Sequence, residues 1–193
     1  MHPHGLLALV VLALTPLARA APQQPTAPAP APPAPSPFAV PAANPADVVS
    51  IDAILKAVYN VISGPAGRPR DWNRMRSLFI RGARLIPAVP RQDRSSGLRV
   101  LDVEGYIQSA GPYFEKNGFF EREAARRLER FGNIAHAFST YESRHAAEDS
   151  KPFARGINSI QLVRDEGRWW IVTIFWDAER PDNPLPPQYL PRR

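Results

Sequence analysis

The chain has 193 residues, among them 23 prolines and no cysteine, and a formal net charge of +6. The absence of cysteine excludes disulfide bonds and thiolate zinc sites. The stability of the protein must therefore come from a hydrophobic core, and the chain is long enough to form one.

The N-terminus carries an apolar run, Leu6–Leu14, that is too short to cross a bilayer comfortably. Pro16 and the small-x-small sequence Ala18–Ala20 follow it. This pattern predicts a cleaved signal peptide over residues 1–20 and an exported protein, periplasmic or secreted, with no transmembrane span after cleavage. An uncleaved anchor is the alternative. No cysteine is present for lipid attachment, which argues against a lipoprotein.

Two proline-rich segments flank the region that is expected to fold. Residues 21–46 contain ten prolines and almost no large apolar residue, which predicts a disordered, extended linker. A proline-rich recognition ligand is the alternative for this segment. Residues 180–193 contain five prolines and predict a tail along the surface. One domain, residues 47–179, lies between them.

Three helices are predicted in the first half of this domain. Asn44 and Pro45 predict the start of the first, which Gly64 ends. Its apolar stripe is Ile51, Ile54, Leu55, Val58 and Ile62. Asp71 and Asp102 are the predicted N-caps of the second and third helices. Between them, residues 82–89 predict a short strand with edge character, because proline cannot donate to a ladder, and residues 91–97 a polar turn.

Four strands are predicted in the second half. They cover residues 119–130, 134–142, 154–164 and 167–177 and are joined as hairpins. The first has helical propensity, but the turn signal Gly132–Asn133 favours a strand. The last is apolar on both faces, as in a covered central strand. The pattern predicts an α+β fold, in which about three N-terminal helices cover one face of a curved, mixed or antiparallel sheet.

The folded region resembles the nuclear transport factor 2-like (NTF2-like, SnoaL-like) superfamily. The resemblance is carried by residues 131–136 leading into 140–142, and by residues 158–162 with 167–172, together with the order of the elements. It covers residues 48–177 and points to a bacterial branch of unknown function. It implies a cone whose open mouth lies between helices and sheet, and a homodimer formed through the sheet face.

The enzymes of this superfamily suggest where chemistry would lie. Ketosteroid isomerases use a tyrosine of the first helix, which Tyr59 could match, and acids from the strands. The acidic patch that usually follows the second helix is replaced here by arginines and glycine in residues 78–85. This departure argues against proton abstraction by a carboxylate, so the expectation leans away from an enzyme.

Candidate site residues are few. The catalytic candidates are His136 as a general base, with Tyr59 or Arg155 orienting a carbonyl; a hydrogen-bonded structural role is the alternative for His136. The predicted ligand-binding residues are Trp72, Arg84, Tyr106, Asn158 and Trp176, although the aromatic members could equally be core. No metal site, phosphate loop or cofactor motif is found, and nothing indicates nucleic-acid binding.

Arginine is concentrated in residues 68–99, which hold nine arginines against two aspartates. This gives the segment a charge of +7, so the rest of the chain is close to neutral. Composition bias explains it in one interpretation, and a basic face that binds an anionic ligand or envelope surface explains it in the other.

Three hypotheses follow. The first is an exported domain that binds a small apolar or anionic ligand, or a partner, through its cone or sheet. The second is an isomerase, cyclase or dehydratase of the SnoaL or ketosteroid isomerase kind. The third is an envelope-associated interaction module.

Overall fold

A computed structural model describes residues 40–90 and 96–191. The predicted signal peptide, most of the predicted linker, the arginines at positions 91 and 94 and the last two residues lie outside the described residues. Within the described part of the chain, no helix is both long enough and apolar enough to cross a membrane.

Within residues 40–90 and 96–191, six strands form one mixed sheet in the order β2-β1-β6-β5-β4-β3. Their bounds are Phe79–Pro90 (β1), Ser96–Leu98 (β2), Phe120–Phe131 (β3), Ile134–Arg144 (β4), Ala154–Asp165 (β5) and Arg168–Ala178 (β6). Strands β3 to β6 pair antiparallel in hairpin order, as predicted, and β1 runs parallel to β6. The tryptophan strand β6 is therefore central. Register shifts in β3 and β5 add local twist and bending.

In the part of the chain that the structure describes, four α-helices accompany the sheet, at Pro45–Val48 (α1), Ile51–Ile62 (α2), Trp72–Leu78 (α3) and Val103–Asn117 (α4), and a short 3₁₀ helix lies at Pro187–Tyr189. The predicted caps Asp71 and Asp102 accept hydrogen bonds from Arg74 N and Gly105 N. The predicted α+β fold, with helices over one face of a mixed sheet, is confirmed.

Two local predictions need correction. The first helix is split, because Ser50 starts a new helix by accepting a hydrogen bond from Ala53 N at 3.0 Å. The predicted edge strand at residues 82–89 is longer and lies inside the sheet as β1. Its edge character is partly real: among the described residues, β2 pairs only with its last three positions, and a single bridge joins Leu85 to Leu101.

The two faces of the sheet are covered differently. The helix-facing side of β4 to β6 carries core residues such as Ala137, Ile160 and Ile171. The opposite, outer face is crossed by the C-terminal segment, where Thr140 Oγ1 donates to the carbonyl of Tyr189 at 2.6 Å.

Gly156 allows β4, β5 and β6 to approach closely, and we predict that alanine there is strongly destabilising. A Cβ at Gly156 would stand 2.6 Å from the Tyr141 hydroxyl and overlap the carbonyl oxygen of Asp177. Relieving this overlap requires the paired backbones of β5 and β6 to move apart. Gly156→Ala is therefore expected to lower the free energy of unfolding by about 3 kcal/mol.

Urea denaturation checks this prediction, with Gly105→Ala as the control. Gly105 lies in α4, and its added Cβ would meet the side chain of Asp102 at 3.1 Å. The gain in helix propensity offsets such a contact. Equal stability of the two variants would contradict the prediction.

Candidate functional site

An inner chamber of about 300 Å³ lies between α2, α4 and the inner face of the sheet. Most of its lining is apolar: Val58, Ile62, Met75, Leu85, Ala110, Phe114, Phe119, Phe153, Ile160, Ile174 and Trp176. The polar lining residues are Tyr59, Tyr106, Glu121, Tyr141, Ser143 and Asn158. Its size and its apolar wall with a few polar groups suit a small organic molecule.

Glu121, at the start of β3, is the acid of the chamber. Its carboxylate accepts a hydrogen bond from Ser143 Oγ at 2.8 Å, and Asn158 Nδ2 lies 3.5 Å from its other oxygen. Within the described residues no cation pairs with this carboxylate. Burial raises the pKa of Glu121 from its ordinary value of 4.5 to about 7, and the hydrogen bonds of Ser143 and Asn158 offset only part of that rise.

Tyr59 of α2 is fixed by a hydrogen-bond chain rather than free for a ligand. Ser139 Oγ donates to Glu123 at 2.6 Å, so the Tyr59 hydroxyl, 2.7 Å from Ser139 Oγ, donates to it. Asn158 Nδ2 donates to the same Tyr59 oxygen at 3.1 Å. This series of hydrogen bonds holds the Asn158 side chain in place beside Glu121.

The hydroxyls of Tyr106 and Tyr141 are the available donors. Neither makes a hydrogen bond to another described residue, and both side chains line the chamber. Burial, together with the negative charge of Glu121, holds the pKa of each phenol well above its ordinary value. Both are therefore neutral O–H groups that can donate to a ligand oxygen near the carboxyl.

Four of the residues predicted from sequence come together here: Tyr59, Tyr106, Asn158 and Trp176 all line the chamber. Trp72 instead packs against the outside of the core. Arg84 is exposed on β1 and is not among the lining residues. Arg155 pairs with Glu179 at 2.8 Å and also lies outside the chamber.

His136 lies on the outer face of the sheet. Its neighbours Ala135 and Ala137 are buried in the core, whereas its Nε2 is 2.8 Å from Ser159 Oγ and its ring contacts Phe138. Phe138 in turn contacts Tyr189 of the C-terminal segment. His136 therefore cannot act on a molecule in the chamber, and the hypothesis that it is the base there is wrong.

Glu121 lies in Phe119–Arg130, a segment whose composition indicates helix or strand and does not by itself indicate a site. Contrary to the expectation from residues 78–85, a carboxylate does line the chamber, and it comes from the first hairpin strand rather than from the segment after α3. The alternation of Phe119, Glu121 and Glu123 was the available signal. Their shared face of the strand points to the helices.

A second, more open cleft of about 650 Å³ adjoins the chamber. Tyr59 and Glu121 border both the cleft and the chamber. Charged side chains of both signs line the cleft: Lys56, Arg122, Arg126 and Arg144, and Asp52, Glu121, Glu123 and Asp149. Among the described residues, no cluster of three or more His, Asp or Glu side chains is placed to bind a metal.

The arginine-rich segment is partly neutralised by the fold. Arg74 and Arg76 form ion pairs with Asp47 and Glu104 at 2.7 and 2.5 Å. Arg70 is buried and donates to backbone carbonyls. The exposed members among the described residues are Arg68, Arg81, Arg84 and Arg99.

The titration of Glu121 predicts a specific pH dependence of stability. The folded-state pKa of about 7 exceeds the unfolded value near 4.5, so between these pH values only the unfolded state has lost the proton. The contribution of Glu121 to the free energy of unfolding is therefore complete below about pH 4.5 and falls by up to about 3 kcal/mol as pH rises through 7.

Urea denaturation of wild type and Glu121→Gln at about pH 5 and about pH 8 measures this effect. Wild type is expected to lose stability relative to the variant between the two pH values. The comparison with the variant cancels the pH-dependent contributions of other carboxylates, such as Asp47 and Glu179, whose pKa values are lowered by their arginine partners. If the difference in unfolding free energy between wild type and Glu121→Gln is the same at both pH values, the raised pKa of Glu121 is refuted.

Comparisons with known proteins match this architecture but no characterised family. No protein-family model and no curated protein matches the chain. A Nostoc punctiforme protein of unknown function with a cystatin-like fold is similar in structure, with a TM-score of 0.51 at 11% identity over 68% of this chain and 90% of that one. The likeness shows a shared α+β fold.

Two NTF2-like proteins of unknown function are also similar in structure. One, from Silicibacter pomeroyi, gives a TM-score of 0.47 at 15% identity over 67% of this chain and 92% of that one. The other, from Pseudomonas putida, gives 0.49 at 12% identity over 66% and 82%. At these identities the likeness concerns the fold alone, so the function of this domain must be argued from its own residues.

Proposed function

We propose that this NTF2-like domain binds a small, largely apolar molecule in the inner chamber and transfers a proton to or from it through Glu121. The observation that carries the proposal is the Glu121 carboxyl, held by Ser143 at 2.8 Å in an apolar cavity with no cationic partner among the described residues. A carboxyl with a pKa of about 7 exchanges protons efficiently near neutral pH.

The neighbouring phenols suit the same chemistry. Removal of a proton next to a carbonyl places negative charge on the carbonyl oxygen, and a neutral O–H group that donates to it stabilises that charge. Tyr106 and Tyr141 are such donors. This favours an isomerase, cyclase or dehydratase over the other reaction classes, with Glu121 in place of His136 as the base.

The test uses nitrobenzisoxazole, an apolar probe that opens when a base removes its ring C–H proton. The electrons of that bond form the nitrile, the N–O bond breaks, and the single product is a coloured cyanophenolate. Wild-type protein is expected to accelerate this reaction, with kcat/KM rising as Glu121 ionises through about pH 7. No acceleration over a carboxylate buffer, with the probe shown to bind, would reject proton transfer.

Non-catalytic binding is the second candidate, favoured by the mainly apolar wall of the chamber. It predicts saturable binding of an apolar probe without turnover. Calorimetry with a naphthyl compound, run beside the kinetic assay, separates the two candidates. If the chamber binds nothing, both fail.

We also propose that the protein is exported and that it self-associates. The leader and linker predicted over residues 1–46 support export to the periplasm or the medium. For the homodimer through the sheet, the relevant surface includes Phe175, which is 45% exposed on β6. The exposed arginines support association with an anionic envelope surface, for which salt-sensitive retention on anionic vesicles is the measurement.

A further inference from the structure

Phe153, the last residue of the loop between β4 and β5, is the part of the chamber wall that is most open to water. Its side chain lines the chamber, yet the residue is 47% exposed. Every other residue of the chamber lining is buried or half-buried. A side chain that borders a cavity and also faces solvent stands where the cavity comes nearest to the surface, so Phe153 marks the thinnest part of the wall.

The ring of Phe153 is held between two other rings, one buried and one exposed. On the buried side it meets Phe119 edge-on, with the ring centroids 6.2 Å apart. On the exposed side it stacks on His145, with the centroids 4.1 Å apart and the planes within 10° of parallel. Contacts of this kind are individually weak, and exposed side chains change rotamer within nanoseconds.

The backbone that carries this ring is fixed. The Phe153 N–H donates to the carbonyl of Ser143 at 2.9 Å, which ties the end of the loop to β4. Inside the loop, Ala146 N donates to the Asp149 side chain at 2.9 Å, and Arg144 Nε donates to the Asp149 carbonyl at 2.9 Å. The Phe153 side chain can therefore turn while the loop stays in place.

We propose that Phe153 is the gate of the inner chamber, and that a ligand enters and leaves when the Phe153 ring swings away from Phe119. The inference rests on the proposed function, because the gate serves the molecule that the chamber binds. It deepens that function by assigning the route to Glu121 and the step that controls access. With the ring closed, the apolar surroundings of Glu121 are shielded from water.

The rest of the wall offers a less favourable entrance. Where the chamber borders the outer cleft, its wall is formed by Tyr59 and Glu121. Passage there would disturb the hydrogen bond of Glu121 with Ser143 at 2.8 Å and that of Tyr59 with Ser139 at 2.7 Å. At Phe153 only contacts between rings have to be broken, because the hydrogen bonds of the loop are made by its backbone and by other side chains.

The experiment measures how fast naphthylacetamide, a neutral and largely apolar probe, binds to the full protein in a stopped-flow instrument. Phe153→Ala is expected to raise the association rate constant about tenfold, since binding no longer waits for the ring to open. The dissociation rate constant should rise with it. A residue that acted only as wall would change the dissociation rate constant and leave the association rate constant alone.

A second variant and a control accompany Phe153→Ala. His145→Ala removes the outer ring contact while keeping Phe153, and we expect it to raise the association rate constant about threefold. Phe175→Ala is the matched control, because Phe175 is 45% exposed, lies on the outer face of the sheet and does not line the chamber. It should bind the probe at the wild-type rate. Thermal denaturation checks that each variant is folded.

The outcomes separate the gate from the proposed function. Faster association in Phe153→Ala, with Phe175→Ala unchanged, supports the gate. Association at the wild-type rate in both Phe153→Ala and His145→Ala overturns the gate and leaves chamber binding intact, since the probe then enters elsewhere. An equal increase in the control variant also overturns it. Failure of the probe to bind wild type and every variant rejects chamber binding, and the gate with it.

Discussion

Replacing Glu121 with glutamine is expected to reduce kcat/KM for nitrobenzisoxazole at least about 100-fold, the usual contribution of a positioned general base. Glutamine preserves the volume of the side chain and can still accept the hydrogen bond from Ser143, but it cannot take a proton. The inflection near pH 7 should disappear with it, since it reports the carboxyl itself.

The matched control is Glu129→Gln, an exposed glutamate on the same strand β3 and outside the chamber. It makes the same chemical change and is expected to keep wild-type activity and pH profile. Equal losses in both variants, or an unchanged Glu121→Gln profile, would mean that another group takes the proton. Binding of naphthylacetamide to Glu121→Gln would show that the chamber remains open in that variant.

The second large effect concerns Arg70, the buried arginine that joins the end of α2 to the end of α4. Its Nε donates to the carbonyl of Ile62 at 2.9 Å, and its Nη2 donates to those of Gly64 and Phe114 at 2.6 and 3.2 Å. Its Nη1 serves two further carbonyls of the loop between α2 and α3. Burial lowers the pKa of Arg70 because the charge is removed from water, yet the five carbonyls keep it satisfied.

Arg70→Met is therefore expected to reduce the free energy of unfolding by about 3 kcal/mol or more, because several buried carbonyls lose their donor. Ile62 and Phe114 also line the chamber, so the affinity for naphthylacetamide should fall as well. Arg84→Met is the control: Arg84 is exposed, and its loss should change stability by less than about 0.5 kcal/mol. Urea denaturation of Arg70→Met and Arg84→Met measures the difference in stability, and equal unfolding midpoints of the two variants would contradict the prediction.

Much of the fold was readable from the sequence because its signals are local. The stripe from Ile51 to Ile62 repeats at the helical period, and Asp102 sits where a capping side chain is needed. The segment Arg168–Ala178 is so rich in aromatic and β-branched residues that only a covered strand suits it. Caps, periods and turn residues act within a few positions, so they survive in the linear order.

The split of the first helix and the length of β1 were less visible. Ser50 can lie inside a helix or cap a new one, and the competing hydrogen bond to Ala53 N decides between the two. The prolines of β1 indicated an edge strand. In the structure β6 pairs in parallel with β1, and this partner lies about ninety residues later in the chain, beyond the reach of a local sequence signal.

By itself the sequence determined the element types, the α+β class and four chamber residues, because burial preference and strand or helix period are properties of short segments. Only the tertiary structure decided the chemistry. Tyr59 and Asn158 meet across 99 positions, and Glu121 gains its raised pKa from an apolar enclosure built by α2, α3, α4 and five strands. Alternation along the strands places the Glu121 side chain on the inner face of the sheet and the His136 side chain on the outer face. Which of the two groups is removed from water is therefore decided by the face of the sheet and not by the residue type.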